Sequence, residues 1–179
     1  VDIDAGTSIT FMGGTESRSY SLAGHGGILS NGNRGDADDV ISLNAGTSVD
    51  ILAGTAPNAF AHVGVGGLVN NATPTHLANI DVTAGTNVTV RAGTDATEDD
   101  SYAMIGNGGT GNTSNATGTI RVDARNGALT VAAGAGNFGG DTGNFAQIGH
   151  GGHEVSGVQT GEIVVLAASI DMDGGTQNE

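Results

Sequence analysis

The sequence predicts an all-β protein, a right-handed parallel β-helix (β-solenoid) with three short strands and about 40 residues in each coil. Three observations predict this fold. One segment recurs at a nearly constant spacing, apolar and polar residues alternate within each copy, and 33 of the 179 residues are glycine while tryptophan is absent. A narrow interior filled by small side chains explains the shortage of large ones.

The internal repeat is the strongest of these observations. Copies of one segment occupy Val1–Thr15, Ile41–Thr55, Ile80–Thr94, Ile120–Ala135 and Ile163–Thr176. The fourth copy carries one extra residue near Asn126, and a marker alanine in the copies recurs at spacings of 40, 39, 40 and 43 residues. We therefore expect 1–179 to be a single solenoid segment cut from a longer array. Its coils are expected at about 1–40, 41–79, 80–119 and 120–162, with a partial coil at 163–179.

Each copy contains three stretches with the alternation that is typical of β-strands. In the third copy the first stretch is 80–84, the second is 88–92 and the third is 101–105, and apolar residues occupy every second position of the first two. Gly-Thr or Gly-Asn pairs separate the first two stretches and supply the turns. A β-propeller also repeats at about 40 residues, but its blades need four strands.

Composition and charge exclude several kinds of partner. The chain has five arginines, no lysine and 19 acidic residues, for a net charge of −14. Binding to nucleic-acid phosphates requires many basic residues, so we expect no nucleic-acid partner. No apolar run approaches the roughly 20 residues that span a bilayer, so we expect no membrane insertion. Without cysteine, neither a disulfide framework nor a cysteine metal site is possible.

The repeat has the form V-x-V-x-A-G-x-x-V-x-V-x-A-G and is followed by a second element, seen as Phe145–Gly152. Together they resemble the repeats of filamentous-haemagglutinin-like exoproteins, and CdrA-like biofilm-matrix adhesins are the nearest group. Such proteins are exported from Gram-negative bacteria by two-partner secretion. The resemblance implies an extracellular rod at the cell surface or in the biofilm matrix. Its implied partners are exopolysaccharide, other adhesin molecules and, during export, an outer-membrane transporter.

The resemblance implies a structural and adhesive role, with reach and multivalent contact, and no enzymatic activity. Two alternatives stay open at this point. One is a polysaccharide-processing β-helix enzyme, although no clustered Asp, Arg or Lys groove is recognisable in the sequence. The other is a self-assembling extracellular filament subunit whose open ends stack on one another. We expect no catalytic residues, no metal site and no cofactor apart from loose calcium binding.

An aromatic residue at one position of the third strand is the first candidate site. Alternation places it on the opposite face from the aliphatic residues Ala23, Val63, Ile105 and Ile148, which we expect inside. If the aromatic rings are exposed, their stacked row can bind sugar faces or a neighbouring rod. If the variable loop that precedes the third strand folds over them, they form a second small core. The candidate ligand-binding residues are Tyr20, Phe60, Tyr102 and Phe145.

Three further features are candidate sites with simpler interpretations. Arg34, Gly35 and Asp36 match an integrin-recognition tripeptide, but such short matches arise readily by chance. The Gly-x-Gly-Gly position holds histidine twice, at His25 and His150, roughly 14 Å apart at strand spacing, so exposed turn histidines are favoured over a metal site. The acidic clusters 36–39 and 95–100 favour solvated charge, with loose calcium binding as the alternative.

Overall fold

The computed structural model describes residues 1–29, 35–68, 75–94, 100–134, 136–137, 143–175 and 177–178. All regular structure in these residues is β-strand, and the strands stack in parallel as a β-solenoid. The described residues include no helix capable of spanning a membrane. The predicted all-β solenoid, with about 40 residues per coil, is confirmed.

The described residues form nineteen strands, which follow one another along the chain. The first coil contains β1 (Asp2–Ala5), β2 (Ile9–Met12), β3 (Ser21–Ala23) and β4 (Gly26–Ile28). The second contains β5 (Val40–Ala45), β6 (Val49–Leu52), β7 (Ala61–Val63), β8 (Gly66–Leu68) and β9 (His76–Leu77). The third contains β10 (Asn79–Ala84), β11 (Val88–Arg91), β12 (Ala103–Ile105), β13 (Gly108–Thr110) and β14 (Ala116–Thr117). The remaining strands are β15 (Thr119–Ala132), β16 (Gly136–Asn137), β17 (Ala146–Ile148), β18 (Glu162–Asp173) and β19 (Gln177–Asn178).

Equivalent strands of successive coils pair in parallel and in register. The first strands stack in the order β1, β5, β10, β15 and β18, and the third strands stack as β3, β7, β12 and β17. This register places equivalent residues in vertical rows, which we call ladders. One such ladder consists of Ile3, Leu43, Val82, Val122 and Val165. The repeat found in the sequence is therefore the structural period of the coil.

In the fourth and fifth coils the first two strands run together as the long strands β15 and β18. The β15–β18 register shifts between Ala124 and Ala128, the region where the sequence has its extra residue. The backbone N–H of Ala128 donates a hydrogen bond of 2.9 Å to the side-chain oxygen of Asn87 in the coil below. The insertion is thus absorbed at the turn position, and the ladders resume beyond it.

The main interior of the solenoid is filled by aliphatic side chains from the first three strands of each coil. Residues such as Val49, Ile51, Val82 and Val90 are almost completely buried. The residues expected inside on the third strand also belong to this cluster or pack against it: Ala23, Val63, Ile105 and Ile148. Alternation in the sequence therefore predicted the inward face correctly on all three strands.

The sequence analysis predicted three strands per coil, and the structure adds two further kinds of short strand: a fifth strand in the second and third coils, β9 and β14, and a fourth strand. In the first three coils it begins three residues after the third strand ends, as β4, β8 and β13, and these form a separate sheet. Its first two residues are glycines, which carry no side chains to alternate, so a pattern based on hydrophobic periodicity gives no signal there.

Candidate functional site

The four aromatic residues at the third strand form one continuous stack, which we call the aromatic column (Tyr20, Phe60, Tyr102 and Phe145). The ring centroids lie 4.6 Å, 4.8 Å and 4.9 Å apart in order along the column. The planes of the last three rings are within 3° of parallel. These separations match the ordinary spacing of paired strands, so each coil adds one ring to the stack.

The aromatic column is not the exposed row that a ligand-binding surface requires. Phe60 and Tyr102 are completely buried, Phe145 is partly buried, and Tyr20 at the end of the column is 41% exposed. The buried rings form a second cluster with Leu68 and Met104. Sequence alternation correctly placed the rings away from the main interior, but the interpretation as an exposed face is wrong for Phe60 and Tyr102, because another layer covers them.

The covering layer is the glycine-rich fourth strand. A Cβ atom added to Gly27 would lie 2.6 Å from the hydroxyl oxygen of Tyr20, and one added to Gly152 would lie 3.1 Å from Cζ of Phe145. Both glycines have positive φ angles, 120° and 132°, which side-chain-bearing residues rarely adopt. The Gly-Gly pairs therefore let the fourth strand fold closely over the rings. We call the space between the third and fourth strands the second interior.

A histidine also lies on the ring side of the third strand. His62 is completely buried, and its Nε2 donates a hydrogen bond of 2.7 Å to the carbonyl oxygen of Gly106 in the next coil. Its ring meets that of Tyr102 edge-on, with centroids 6.0 Å apart. Burial lowers the pKa of His62 to about 4; the Gly106 hydrogen bond opposes this, and nearby His76 lowers the pKa further. The imidazole is therefore neutral near neutral pH.

Two side chains at the Gly-x-Gly-Gly position connect the coil to its neighbours. The side-chain amide of buried Asn107 donates to the carbonyl oxygens of Ala78 at 2.8 Å and Thr117 at 2.7 Å. Its oxygen accepts the N–H of Val65 at 3.0 Å. In the next coil His150 Nε2 donates to the carbonyl of Gly118 at 3.1 Å. Asn107 was missed by the sequence analysis, since it matched only a variable position between glycines.

The predicted exposure of the turn histidines is right for His25 and wrong for His150. His25 is exposed, whereas His150 is half-buried and its Nδ1 accepts the backbone N–H of Asn107 at 3.3 Å. Burial lowers the pKa of His150, and the hydrogen bond to Gly118 opposes that shift. Within the described ranges, no three His, Asp or Glu side chains come together as a metal centre would require. The expectation of loose calcium binding stays untested.

The integrin-like tripeptide is only partly described, because Arg34 lies outside the described residues. Gly35 has a φ of 71°, and the carboxylate of Asp36 accepts the N–H of Asp38 at 2.9 Å, as in a local turn. The first acidic cluster lies in this turn. Most of the second, residues 95–99, lies outside the described residues. Both hypotheses therefore stay predictions.

An ion-pair network occupies the outer face of the first strands. Arg121 on β15 contacts Asp81 of the coil below at 3.2 Å and Asp123 of its own strand at 2.5 Å, and Arg125 contacts Asp123 at 2.6 Å. Burial raises the pKa of Asp123, but the hydrogen bonds from Arg125 and Arg121 outweigh it, so the pKa lies below its usual value. The register between coils brings Arg121 next to Asp81. This contact could not be predicted from the sequence of one strand alone.

A shallow groove runs along the stack where the second strands end, and we call it the threonine groove. Its volume is about 230 Å³, and it spans the first three coils. The lining includes the in-register residues Met12, Leu52 and Arg91 and, three residues further along each coil, Thr15, Thr55 and Thr94. The threonines and Arg91 are exposed. The repeated Gly-Thr pair after the second strand was the available signal, but it was used only to define the repeat.

Comparisons of this chain with family models, with curated proteins and with solved structures found no match. The resemblance to filamentous-haemagglutinin-like repeats therefore stays an expectation.

Proposed function

We propose that this chain is a structural and adhesive rod segment of a secreted bacterial surface or biofilm-matrix adhesin. The observation that supports the proposal is the parallel, in-register pairing of the first strands through successive coils. Adding a coil extends such a stack by about 4.8 Å without altering its cross-section. A longer array of the same repeat gives reach in proportion to the number of coils, which is what a rod requires.

The polar network across the coils also suits a load-bearing element. Hydrogen bonds link each coil to the next at the turns as well as in the strands: the N–H of Thr47 donates to Thr7 and that of Thr86 donates to Thr47, each at 2.8 Å. Asn107 and the Arg121 network add side-chain links between coils. In a solenoid each coil is stabilised mainly by its neighbours, so these links act along the whole stack.

Adhesion in this proposal depends on the outer surface and not on the aromatic column. The two central rings are completely buried, so exopolysaccharide or a neighbouring adhesin molecule would contact the exposed side chains of the coils. Because each coil presents an equivalent surface, weak contacts repeat along the rod and act together. The proposed location is extracellular, at the surface or in the matrix of a Gram-negative bacterium.

The proposal is tested by coating beads with the purified chain and passing them in flow over a layer of biofilm exopolysaccharide. We expect retention that increases with the density of chains on the bead, because multivalency converts weak contacts into stable attachment. Beads coated with an unfolded preparation of the same chain are the control. Retention no greater than the control would contradict an adhesive role and leave only a spacer.

The two alternative functions predict different results in companion assays. A polysaccharide-processing enzyme would shorten acidic glycan chains during incubation, and we expect no shortening. A filament subunit would form end-to-end fibres visible by electron microscopy. The proposed rod segment predicts no such fibres.

A further inference from the structure

We propose that the threonine groove is a binding site for an extended glycan chain that carries carboxylate groups, lying parallel to the solenoid axis. The inference rests on the proposed adhesive function for the class of ligand and identifies the surface that contacts it. It is supported by the shape of the groove, by the chemistry of the residues that line it and by the position of Arg91.

The shape of the groove fits a long, thin ligand. It crosses three successive coils, so its length lies along the stack and its equivalent positions recur at about 4.8 Å. The floor is formed by small residues, among them Gly13, Gly54 and Ala92. A Cβ atom at Gly54 would collide with the carbonyl oxygen of Gly14, so the glycine backbones are packed against each other there. The groove is accordingly shallow and continuous across the coils.

The lining residues offer the contacts that a sugar chain uses. The exposed threonines provide a row of hydroxyl groups, each able to donate and to accept a hydrogen bond. The lining also includes the apolar side chains of Met12, which is 59% exposed, and Leu52, which is half-buried. Hydroxyl groups together with apolar surface complement a pyranose chain, which has polar edges and apolar faces.

Arg91 determines the charge of the ligand. Among the described residues of the lining there is no acidic side chain, and Arg91 forms no ion pair with any residue that the structure describes. Arg121 and Arg125, by contrast, are both paired with aspartates. A guanidinium can bind a carboxylate through two parallel hydrogen bonds. An exposed arginine of this kind favours an anionic group at that position of the groove.

A peptide fits the groove less well than a glycan does. The backbone groups at the ends of the second strands are already bonded along the stack: the N–H of Gly13 donates to Leu52 at 2.9 Å, and that of Ala53 donates to Arg91 at 2.9 Å. A peptide lying parallel to the axis would therefore find no free strand edge with which to pair. A glycan needs no such edge, because its own hydroxyl groups make the contacts.

The test uses polygalacturonate oligomers as the probe and titration calorimetry at low ionic strength as the measurement. We expect Arg91→Gln to weaken binding about tenfold, as the loss of one charge-assisted contact would. Arg18→Gln, at an exposed arginine outside the groove lining, makes the same charge change and is expected to alter binding less than about twofold. Thr55→Val removes a hydroxyl group from the groove and leaves a side chain of nearly the same volume. We expect this variant to weaken binding about threefold.

Methyl-esterified oligomers, which lack the carboxylate charge, are the matched ligand control. We expect the wild type to bind them about as weakly as Arg91→Gln binds polygalacturonate. No binding by the wild type, equal binding by Arg91→Gln and wild type, or equal losses in Arg91→Gln and Arg18→Gln would each overturn the proposal. The bead assay separates this outcome from failure of the proposed function. If beads coated with the wild type and beads coated with Arg91→Gln are both retained, only the proposal that the groove binds the glycan is overturned. If beads coated with the wild type are not retained, the proposed adhesive function is overturned.

Discussion

The solenoid has two apolar interiors that differ in composition and in the kind of packing. The main interior holds aliphatic side chains from the first three strands, such as Leu43 and Val82. The second interior holds the aromatic column with Leu68 and Met104, between the third and fourth strands. Close-packed aliphatic ladders fill the first, and stacked rings under a glycine strand fill the second.

This difference shows that a side chain pointing away from the main interior is not necessarily exposed, because it can point into the second interior. The third strand carries Val63 into the main interior and His62 into the second, and both residues are completely buried. A two-faced strand of this kind needs apolar or satisfied residues on both sides. The aromatic column is therefore a structural element of the coil, and the surface available for adhesion lies elsewhere.

The largest expected effect on this difference comes from disrupting the stacking of the glycine-rich fourth strands, which cover the second interior. Gly67 has a φ of 136°, and a Cβ atom there would collide with backbone atoms of Gly27. Because backbone cannot move aside without disrupting the stack, we expect Gly67→Ala to lower the free energy of unfolding by about 4 kcal/mol or more. Chemical denaturation followed by circular dichroism measures this change.

Gly6→Ala is the matched control for that substitution. A Cβ atom at Gly6 meets nothing within 4 Å, and its φ lies outside the positive range. We expect a change within about 0.5 kcal/mol. Equal effects of the two substitutions would mean that the fourth strands of neighbouring coils do not stack as closely as described.

A cavity in the aromatic column gives the next largest effect. Tyr102 stacks between two rings and is completely buried, so we expect Tyr102→Ala to cost about 3–4 kcal/mol of unfolding free energy. Tyr20 has one ring partner and is 41% exposed, so Tyr20→Ala is expected to cost about 1 kcal/mol. Denaturant midpoints of the two variants compare them directly, and similar losses at both positions would argue against a buried column.

Acidification sharpens the comparison, because the second interior contains a buried titratable group. The pKa of His62 is about 4 in the folded chain and about 6.5 when unfolded, so the stability gained by keeping it neutral is complete above pH 6.5 and is lost as the pH falls toward 4. The difference between the two pKa values corresponds to about 3 kcal/mol of unfolding free energy. We expect the free energy of unfolding to fall across this range.

His62→Gln is the control for the pH dependence. Its side-chain amide can still donate to the Gly106 carbonyl but cannot be protonated, and glutamine already occupies the equivalent position as Gln147. The variant is expected to lose less stability between pH 6.5 and pH 4 than the wild type does. An unchanged pH profile would show that His62 is not the group responsible.

Much of the fold follows from the sequence, because the signals that define it are local and repeated. Alternation gave the first three strands, and the spacing of the marker alanines gave the coil. The fourth strand was not predictable by that route, since Gly66 and Gly67 present no side chain to the pattern. Its cause is instead steric: a Cβ atom at Gly66 or Gly67 would collide with the backbone of the equivalent glycine in a neighbouring coil.

The candidate sites were less predictable, because each depends on contacts between coils. The bonds of Asn107 reach 10 to 42 residues along the chain, and Arg121 reaches Asp81 across 40 residues. Such partners become neighbours only once the register of the stack is known. The threonine groove has the same origin, since Thr15, Thr55 and Thr94 belong to three different coils and line one groove only when the coils are stacked.

The central claim is that the aromatic column is buried in a second interior, and the ionisation of Tyr102 tests it most directly. The chain has two tyrosines, so Tyr20→Phe leaves Tyr102 as the single phenol. Burial raises the pKa of Tyr102 well above 10, and nearby Asp100 raises it further. In an alkaline titration followed by ultraviolet absorbance and circular dichroism, we predict that phenolate appears only as the β-structure is lost. Reversible ionisation near pH 10 in the folded chain would contradict the account.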